Sequence, residues 1–297
     1  MKQLLEKIDF QVSCADYAEL DRSWNSGLFG PASRYVPWTR IYFPLSGEGR
    51  VECDGKETVI ERGKLILIPP CAKVHVSCRG FLNKYWIHFS AQIAGHDLFS
   101  LFDEVVSRPL DESNFSFTEK LFFILHRQYR PFKNAGNGEN PFEEQSAQAA
   151  LMLLVEPFLI KMVKFAEEPD FFRILDVMSY LNNNLHRHIT LKELGQYTNM
   201  HPNYFSALFK KQAGVPPITY LNILRLNRAL RELERGNLRI NEISELIGAA
   251  NPAAFSKMIR KATGVSPREY RQAAEKGTFL KQTASPEPPL PDGQYRK

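Results

Sequence analysis

Two stretches of the chain decide its fold: HPNYFSALFKKQAGVPP at residues 201–217 and NPAAFSKMIRKATGVSP at residues 251–267. They match position by position at a constant offset of 50 residues. Further upstream the offset becomes 49, since Leu191 matches Ile240, so the second copy contains one additional residue. A repeat of this length indicates one small structural unit that occurs twice in the chain.

Each copy carries the start and stop signals of a short helix. A polar residue followed by proline begins it, because a proline in the first helical turn lacks only an N–H that would have had no partner. A glycine, Gly214 or Gly264, ends it, because glycine readily adopts the left-handed backbone of a helix end. Helical spacing predicts that one face of each helix lies in the core. These core faces comprise Phe205, Leu208, Phe209 and Gln212 in the first copy and Phe255, Met258, Ile259 and Ala262 in the second.

The outward face of each predicted helix has the chemistry of a DNA-reading surface. Small polar groups early in the helix can approach base edges, and the later cations can meet phosphates. Each copy is therefore a predicted helix-turn-helix unit for double-stranded DNA. The residues predicted to bind DNA are His201, Asn203, Ser206, Ala207, Lys210 and Lys211 in the first copy, and Asn251, Ala253, Ser256, Lys257, Arg260 and Lys261 in the second.

A basic helix is predicted between the two copies, from about residue 217 to residue 234. At 1.5 Å per residue it spans about 25 Å, enough to hold two recognition helices near the ~34 Å separation of successive major grooves. From residue 171 onward the chain holds 19 Lys and Arg against 10 Asp and Glu, while the rest holds 19 against 23. This asymmetry favours a polyanionic partner for the C-terminal third, with an ordinary solvated basic surface as the alternative.

Residues from about 35 to 90 predict a β-rich N-terminal half. Short apolar runs alternate with turn sequences, and the Asp54-Gly55 pair between two runs is a strong hairpin signal. Many short strands at this spacing indicate a sandwich or a barrel, and a closed barrel can hold one small ligand.

Two helices are predicted after these strands, at about 115–130 and 141–168. Apolar residues form a continuous stripe along the second helix, in which Pro157 is expected to produce a kink. The two helices either pack on the barrel or join two subunits, and we expect a homodimer. Residues 167–170 have the composition of a linker, and the proline-rich segment at 285–291 predicts a disordered tail.

Composition excludes several classes of protein. No apolar run approaches the roughly 18 residues needed to span a bilayer, and the start of the chain lacks the apolar core of a signal peptide. We therefore expect a cytoplasmic protein that does not enter a membrane. The cysteines form no Cys-x-x-Cys pair and are predicted to be reduced, packed thiols. They are Cys14, Cys53, Cys71 and Cys78.

The repeated region resembles the AraC/XylS family of transcription regulators from about residue 189 to residue 271. The resemblance is carried by both repeated helices and by the ending GVSPREYR at residues 264–271. It implies a DNA-binding transcription regulator, expected to act with RNA polymerase as its partner.

Three positions depart from the family pattern. Ala207 and Lys257 stand where the family commonly has an arginine, and Gly248-Ala249 stands where it usually has Gly-Phe. Because lysine is a single-point donor and alanine is no donor, bidentate reading of guanine is lost at these places. The target DNA sequence therefore does not follow from the resemblance.

The N-terminal half is similar to the cupin-type sensing domain often attached to this family. The similarity is carried by LSGEG at 45–49, DGK at 54–56, RG at 62–63, LILIPP at 65–70 and His75. Family members that bind sugars commonly use an arginine and a tryptophan in the barrel, which implies a sugar as the small-molecule effector. The candidate ligand-binding residues are Arg40, Tyr42, Trp86 and His88.

A flat aromatic ring beside hydrogen-bond donors suits a pyranose, whose C–H face packs while its hydroxyls need partners. Strand alternation places Trp86 and His88 on one face. The alternative for Trp86 is an ordinary core residue. His75 and His88 lack the close His-x-His spacing of metal-binding cupins, so we expect no metal, no other cofactor and no catalytic residues.

Together these patterns predict an α+β multidomain protein. Residues 1–168 form a cupin-like β-barrel with two flanking helices for ligand sensing and dimerisation. Residues 169–280 form an all-α domain with two helix-turn-helix motifs joined by a linker helix, and residues 281–297 form the tail. The predicted function is sequence-specific transcription regulation in response to a sugar. The alternatives are a cupin enzyme with a nucleic-acid-binding appendage and an architectural DNA binder without a ligand.

Overall fold

The computed structural model describes residues 8–25, 38–53, 55–70, 72, 74–93, 96–102, 104–129, 141–166 and 170–275. Within these residues, strands and two long helices make up the N-terminal half, and seven further helices follow. The predicted tail at 281–297 and most of the predicted linker lie outside the described residues. The chain is therefore mixed α+β, with an antiparallel sheet first and a helical region after it.

The described strands form one antiparallel sheet. They are β1 (Asp9–Asp21), β2 (Thr39–Cys53), β3 (Lys56–Glu61), β4 (Lys64–Ile68), β5 (Val74–Ile93), β6 (His96–Asp97) and β7 (Val106–Pro109). Their order is β1-β5-β2-β4-β7, with β3 paired to β2 and β6 paired to β5. The predicted hairpin is confirmed, because Cys53 pairs with Lys56 and Gly55 turns the chain at a φ of 79°.

The sequence did not predict β1 and β7. The apolar residues of β1 do not alternate regularly along its DFQVSCADYAELD sequence. The strand forms because it pairs with β5 along almost its whole length, from Asp9 opposite Gln92 to Asp21 opposite Phe81. A pairing partner that lies more than fifty residues away in the sequence leaves little local signal.

The sheet buries both of its faces. One face packs against α1 (Glu112–Tyr129), where Phe43 stacks on Phe122 with ring centroids 5.4 Å apart, and α2 (Pro141–Ala166) packs on α1 in the same apolar cluster. The apolar cluster on the other face, among the described residues, contains only side chains of the strands and the segments joining them, such as Tyr42 and Trp86. A sheet that covers one of its own faces must curl, as in a barrel.

The helices α1 and α2 begin and end close to the predicted positions. The stripe predicted on α2 is buried, and α2 continues through Pro157. Helix α1 thus packs on the sheet, and α2 packs on α1.

The helices of the C-terminal region repeat one arrangement. They are α3 (Phe171–Asn183), α4 (Leu191–Thr198), α5 (Pro202–Ala213), α6 (Pro217–Arg235), α7 (Ile240–Leu246), α8 (Pro252–Thr263) and α9 (Pro267–Glu275). The pair α4 and α5 corresponds to the pair α7 and α8, and the additional residue of the second copy lies before α8. As predicted, Phe205, Phe209, Phe255 and Ile259 are fully buried.

The linker helix α6 takes part in two apolar clusters. Tyr220, Leu221 and Leu224 pack with α5 and α3, whereas Leu226 and Leu230 pack with α7 and α8. Each helix pair therefore has its own core, and α6 is common to both.

Three of the predicted thiols, Cys14, Cys53 and Cys78, are buried, as predicted for packed thiols, and Cys71 lies outside the described residues. Burial raises the pKa of Cys14 to about 12, so this thiol is unreactive near neutral pH. In the part of the chain that the structure describes, no helix has both the length and the apolar character to cross a bilayer.

Replacing Phe205 by alanine is expected to lower the free energy of unfolding by about 3–5 kcal/mol, because a fully buried ring is lost. The neighbouring Tyr204 is 61% exposed, so Tyr204→Ala is expected to change it by less than about 0.5 kcal/mol. Urea denaturation measures both values. Equal losses in the two variants would contradict the assignment of the buried face of α5.

Candidate DNA interface and ligand cluster

Both repeated helices are held by matching caps. The imidazole of His201 accepts the N–H of Asn203 at 3.4 Å, and the Asn251 side chain accepts the N–H of Ala254 at 2.8 Å. At the other end Gly214 and Gly264 adopt left-handed backbone, with φ values of 76° and 79°. The first residue of each predicted DNA set, His201 or Asn251, is thus also the N-cap of its helix.

The residues predicted to bind DNA lie at the surface. Ser206 and Ser256 are half-buried, and all the others are exposed: His201, Asn203, Ala207, Lys210, Lys211, Asn251, Ala253, Lys257, Arg260 and Lys261. Each set lies on one helix, α5 or α8, and the two helices pack on successive parts of α6. Their contact with DNA stays a prediction.

Tyr204 is a surface residue that the sequence reasoning missed. Its ring is 61% exposed in the first turn of α5, beside Asn203, whereas the second copy has Ala254 at this position. The difference between tyrosine and alanine at this position is a signal that the comparison of the two copies contained.

The arginines of α6 are engaged within the protein. Arg225 donates to the carbonyl oxygens of Leu185 and Arg187, at 2.9 and 2.6 Å. Arg228 and Arg235 pair with Glu232 at 3.0 and 3.2 Å. The positive charge of this helix therefore stabilises the region more than it adds to a free basic surface.

The four predicted ligand-binding residues come together on two neighbouring strands. Arg40 of β2 pairs with His88 of β5, and Tyr42 pairs with Trp86. The rings of Trp86 and His88 lie 4.7 Å apart between centroids. Tyr42 and Trp86 belong to the apolar cluster inside the curled sheet. We call Arg40, Tyr42, Trp86, His88, Lys84 and Trp24 the ligand cluster.

The sequence reasoning missed Lys84, although strand alternation places it on the same face of β5 as Trp86 and His88. Lys84 is 0% exposed, and its Nζ lies 3.1 Å from the Tyr42 ring centroid and 4.3 Å from that of Trp24. Cation–π contacts contribute roughly 0.5–2 kcal/mol each, less than the several kcal/mol that burial of an unpaired charge costs. Burial without an acid partner therefore disfavours the charged form of Lys84 at this position.

Several donors of the ligand cluster lack hydrogen-bond partners among the described residues: Arg40 Nε and Nη2, Lys84 Nζ, Trp24 Nε1 and Trp86 Nε1. Burial, and then the charge of Arg40, lower the pKa of Lys84 well below its usual value. Burial, Arg40 and Lys84 lower the pKa of His88 in the same way. The cluster is thus rich in donors and contains groups with strongly shifted pKa values, which are usual properties of binding sites.

The two halves of the chain meet next to this cluster. Trp38 donates its indole N–H to Glu234 of α6 at 2.8 Å, and Tyr270 of α9 donates to the same carboxylate at 2.9 Å. The Arg231 guanidinium lies 5.8 Å from the centroid of the Trp38 ring. Burial raises the pKa of Glu234, an effect that its two donors and the neighbouring arginines oppose.

A second contact between the halves involves Asp97. Its carboxylate accepts the N–H of Phe99 at 3.0 Å and the Thr39 hydroxyl at 3.3 Å. Burial raises the pKa of Asp97 to about 7, partly opposed by the charge of Arg231. Tyr220 hydrogen-bonds Ser100 close by. Tyr220 thus contacts the N-terminal half directly, and the repeat-related Tyr270 contributes through Glu234, which also binds Trp38.

Two similar helix pairs, each presenting an exposed cationic second helix, define a DNA-binding protein of the helix-turn-helix class. Residues 194–273 match a family model described as a helix-turn-helix domain. This region is similar to the DNA-binding regions of AraC-family transcription regulators.

Individual relatives agree with this assignment. The uncharacterized HTH-type transcriptional regulator YobQ of Bacillus subtilis is 37% identical over 94 residues, which are 32% of this chain and 39% of YobQ. The arabinose operon regulatory protein of Escherichia coli is 24% identical over 242 residues, 78% of this chain and 79% of that protein. Fatty-acid-bound ToxT from Vibrio cholerae matches 89% of this chain and 94% of its own, with a TM-score of 0.56 and 11% identity, a likeness of fold alone.

Lys210→Ala and Lys261→Ala are each expected to weaken binding to duplex DNA of any sequence. Each phosphate contact releases counterions, so the slope of log K against log salt should fall by about 1 in either variant. Fluorescence anisotropy at several salt concentrations measures the slope, with Lys120→Ala on α1 as the control. Unchanged slopes in the first two variants would exclude their phosphate contacts.

Asp97→Asn is expected to flatten the dependence of stability on pH. The folded-state pKa of Asp97, about 7, lies above the unfolded value near 4, so the folded protein binds this proton more tightly. The resulting stabilisation is complete below about pH 4 and is lost as the pH rises to about 7. Thermal unfolding from pH 5 to pH 8 tests this, with the exposed Asp176→Asn as the control. If the stability of Asp97→Asn depends on pH as steeply as that of the wild type, the raised pKa of Asp97 is contradicted.

Proposed function

We propose that the chain is a sequence-specific transcription regulator whose DNA binding responds to a small molecule, a sugar, held at the ligand cluster. The observation that carries the proposal is the coexistence of two cationic helix pairs with a buried group of unpartnered donors in the other half. The first feature suits DNA and the second suits a polar ligand.

The two helix pairs are proposed to read successive major grooves of double-stranded DNA. The linker helix α6 is buried in both cores, so it holds α5 and α8 at one separation. A helix of this size spans about 28 Å, close to the ~34 Å between successive turns of a groove. In this arrangement residues 169–280 form the DNA-binding domain, and the regulator acts with RNA polymerase in the cytoplasm.

The N-terminal half, residues 1–168, is proposed to be a cupin-like sensing and dimerisation domain without enzymatic activity. Trp86 offers a ring face for a pyranose, and the unpartnered donors of Arg40 and Lys84 offer bonds to its oxygens. Relatives named for the arabinose operon and the lactose operon favour a sugar. Exposed apolar side chains on α1 and α2, Phe117 and Leu153, favour a homodimer through these helices.

The start of β2 offers a route from the ligand to the DNA-binding region. Arg40 lies in the ligand cluster, and Trp38, two residues earlier, contacts Glu234 on α6. A ligand that binds Arg40 more tightly in one arrangement of the halves shifts the population toward that arrangement. The coupling therefore depends on differential contacts at residues 38–40.

The proposal is tested by footprinting the protein on its promoter DNA with and without each member of a sugar panel. One sugar is expected to change the protected region, and the same sugar to raise the thermal unfolding temperature without being consumed. Trp38→Phe removes the indole N–H, so it should retain stabilisation by the sugar while losing most of the change in the footprint.

Two results would refute parts of this proposal. Turnover of the sugar would favour the enzyme alternative. A specific footprint together with no response to any sugar would favour the architectural DNA binder.

A further inference from the structure

We propose that the ligand cluster recognises a sugar acid, whose carboxylate binds to Lys84 and Arg40 while its ring packs on Trp86. This inference rests on the proposed function and adds to it the charge of the ligand.

A neutral sugar as the ligand does not explain why the amine of Lys84 is buried without an anion beside it among the described residues. It is fully buried on the face of β5 that carries Trp86, and its Nζ has no hydrogen-bond partner in the described part of the chain. The rings of Tyr42 and Trp24 hold the ammonium group from two sides. Ring faces attract a cation, but they neither neutralise its charge nor supply oxygen acceptors for its three N–H groups.

Arg40 adds a second cation in the same surroundings. Its side chain is 3% exposed, and the two nitrogens without partners among the described residues are Nε and Nη2. These two nitrogens form one edge of the guanidinium plane, and their parallel N–H groups match the two oxygens of a carboxylate.

Asp97 and Glu234, buried acids among the described residues, accept hydrogen bonds from other groups. Asp97 accepts hydrogen bonds from Thr39 and Phe99, and Glu234 accepts them where the two halves meet. A buried cation is ordinarily paired with an anion, because an uncompensated one is strongly destabilising. A carboxylate carried by the ligand supplies the missing partner for both Lys84 and Arg40.

The test compares matched pairs of probes on the full chain: D-galacturonate against D-galactose, and D-glucuronate against D-glucose, with D-glucose 6-phosphate as a separate anion. Thermal unfolding is followed at increasing probe concentration, because a ligand that binds only the folded state raises the unfolding temperature. At least one sugar acid is expected to bind about tenfold or more tightly than its neutral counterpart.

Lys84→Met and Lys84→Gln are the variants that test the residue. Both are expected to abolish the preference for the acid, and Lys84→Met is expected to unfold at the same or a higher temperature without ligand, because an unpaired buried amine is removed. Lys192→Met changes an exposed lysine on α4 and is expected to keep the preference of the wild type.

The outcomes separate this inference from the proposed function. Stabilisation by neutral sugars with no preference for the acids, or by the sugar phosphate alone, overturns the sugar acid and leaves a ligand-responsive regulator. A preference for acids that survives in both Lys84 variants overturns the role of Lys84. No response to any of these probes overturns the sugar acid, and the footprint with the wider sugar panel decides the sugar-responsive function separately.

Discussion

Helix α6 belongs to two apolar cores at once, and the arrangement of the whole C-terminal region depends on this double burial. Its first turns complete the core of the first helix pair, and its later turns complete that of the second. Because close-packed cores resist sliding and rotation, the exposed faces of α5 and α8 are held in one relation to each other. A single chain can thus present the exposed faces of both helices without a partner to position them.

The second constraint is the burial of charge at two neighbouring places. Cations lie inside the curled sheet, whereas the carboxylates of Asp97 and Glu234 lie where the sheet meets α6. The three residues from Trp38 to Arg40 connect these places, since Trp38 contacts Glu234, Thr39 contacts Asp97 and Arg40 enters the ligand cluster. Because consecutive side chains of this segment reach both the contact between the halves and the ligand cluster, the segment is well suited to couple ligand binding at the cluster to that contact.

The features predicted best from the sequence are those that depend only on residues close together in the chain. Caps, helix stops and the Asp-Gly hairpin depend on residues within one turn, so the repeated helices and the β2–β3 hairpin follow from the sequence directly. The predicted ligand residues Arg40, Tyr42, Trp86 and His88 lie together because strand alternation and pairing place them on one face, and their contact with a ligand stays a prediction. Lys84 shares that alternation, but a lysine is ordinarily taken for an exposed residue.

The sequence by itself determined the duplicated helix pair, its buried and exposed faces and the basic character of the C-terminal third, since helical periodicity and charge are local properties. Only the tertiary structure decided that β1 pairs with β5, that Lys84 is buried with no hydrogen-bond partner among the described residues, and that Trp38 contacts α6. Each of these depends on residues that are distant in the sequence, and such contacts form through packing and pairing that no short window of residues encodes.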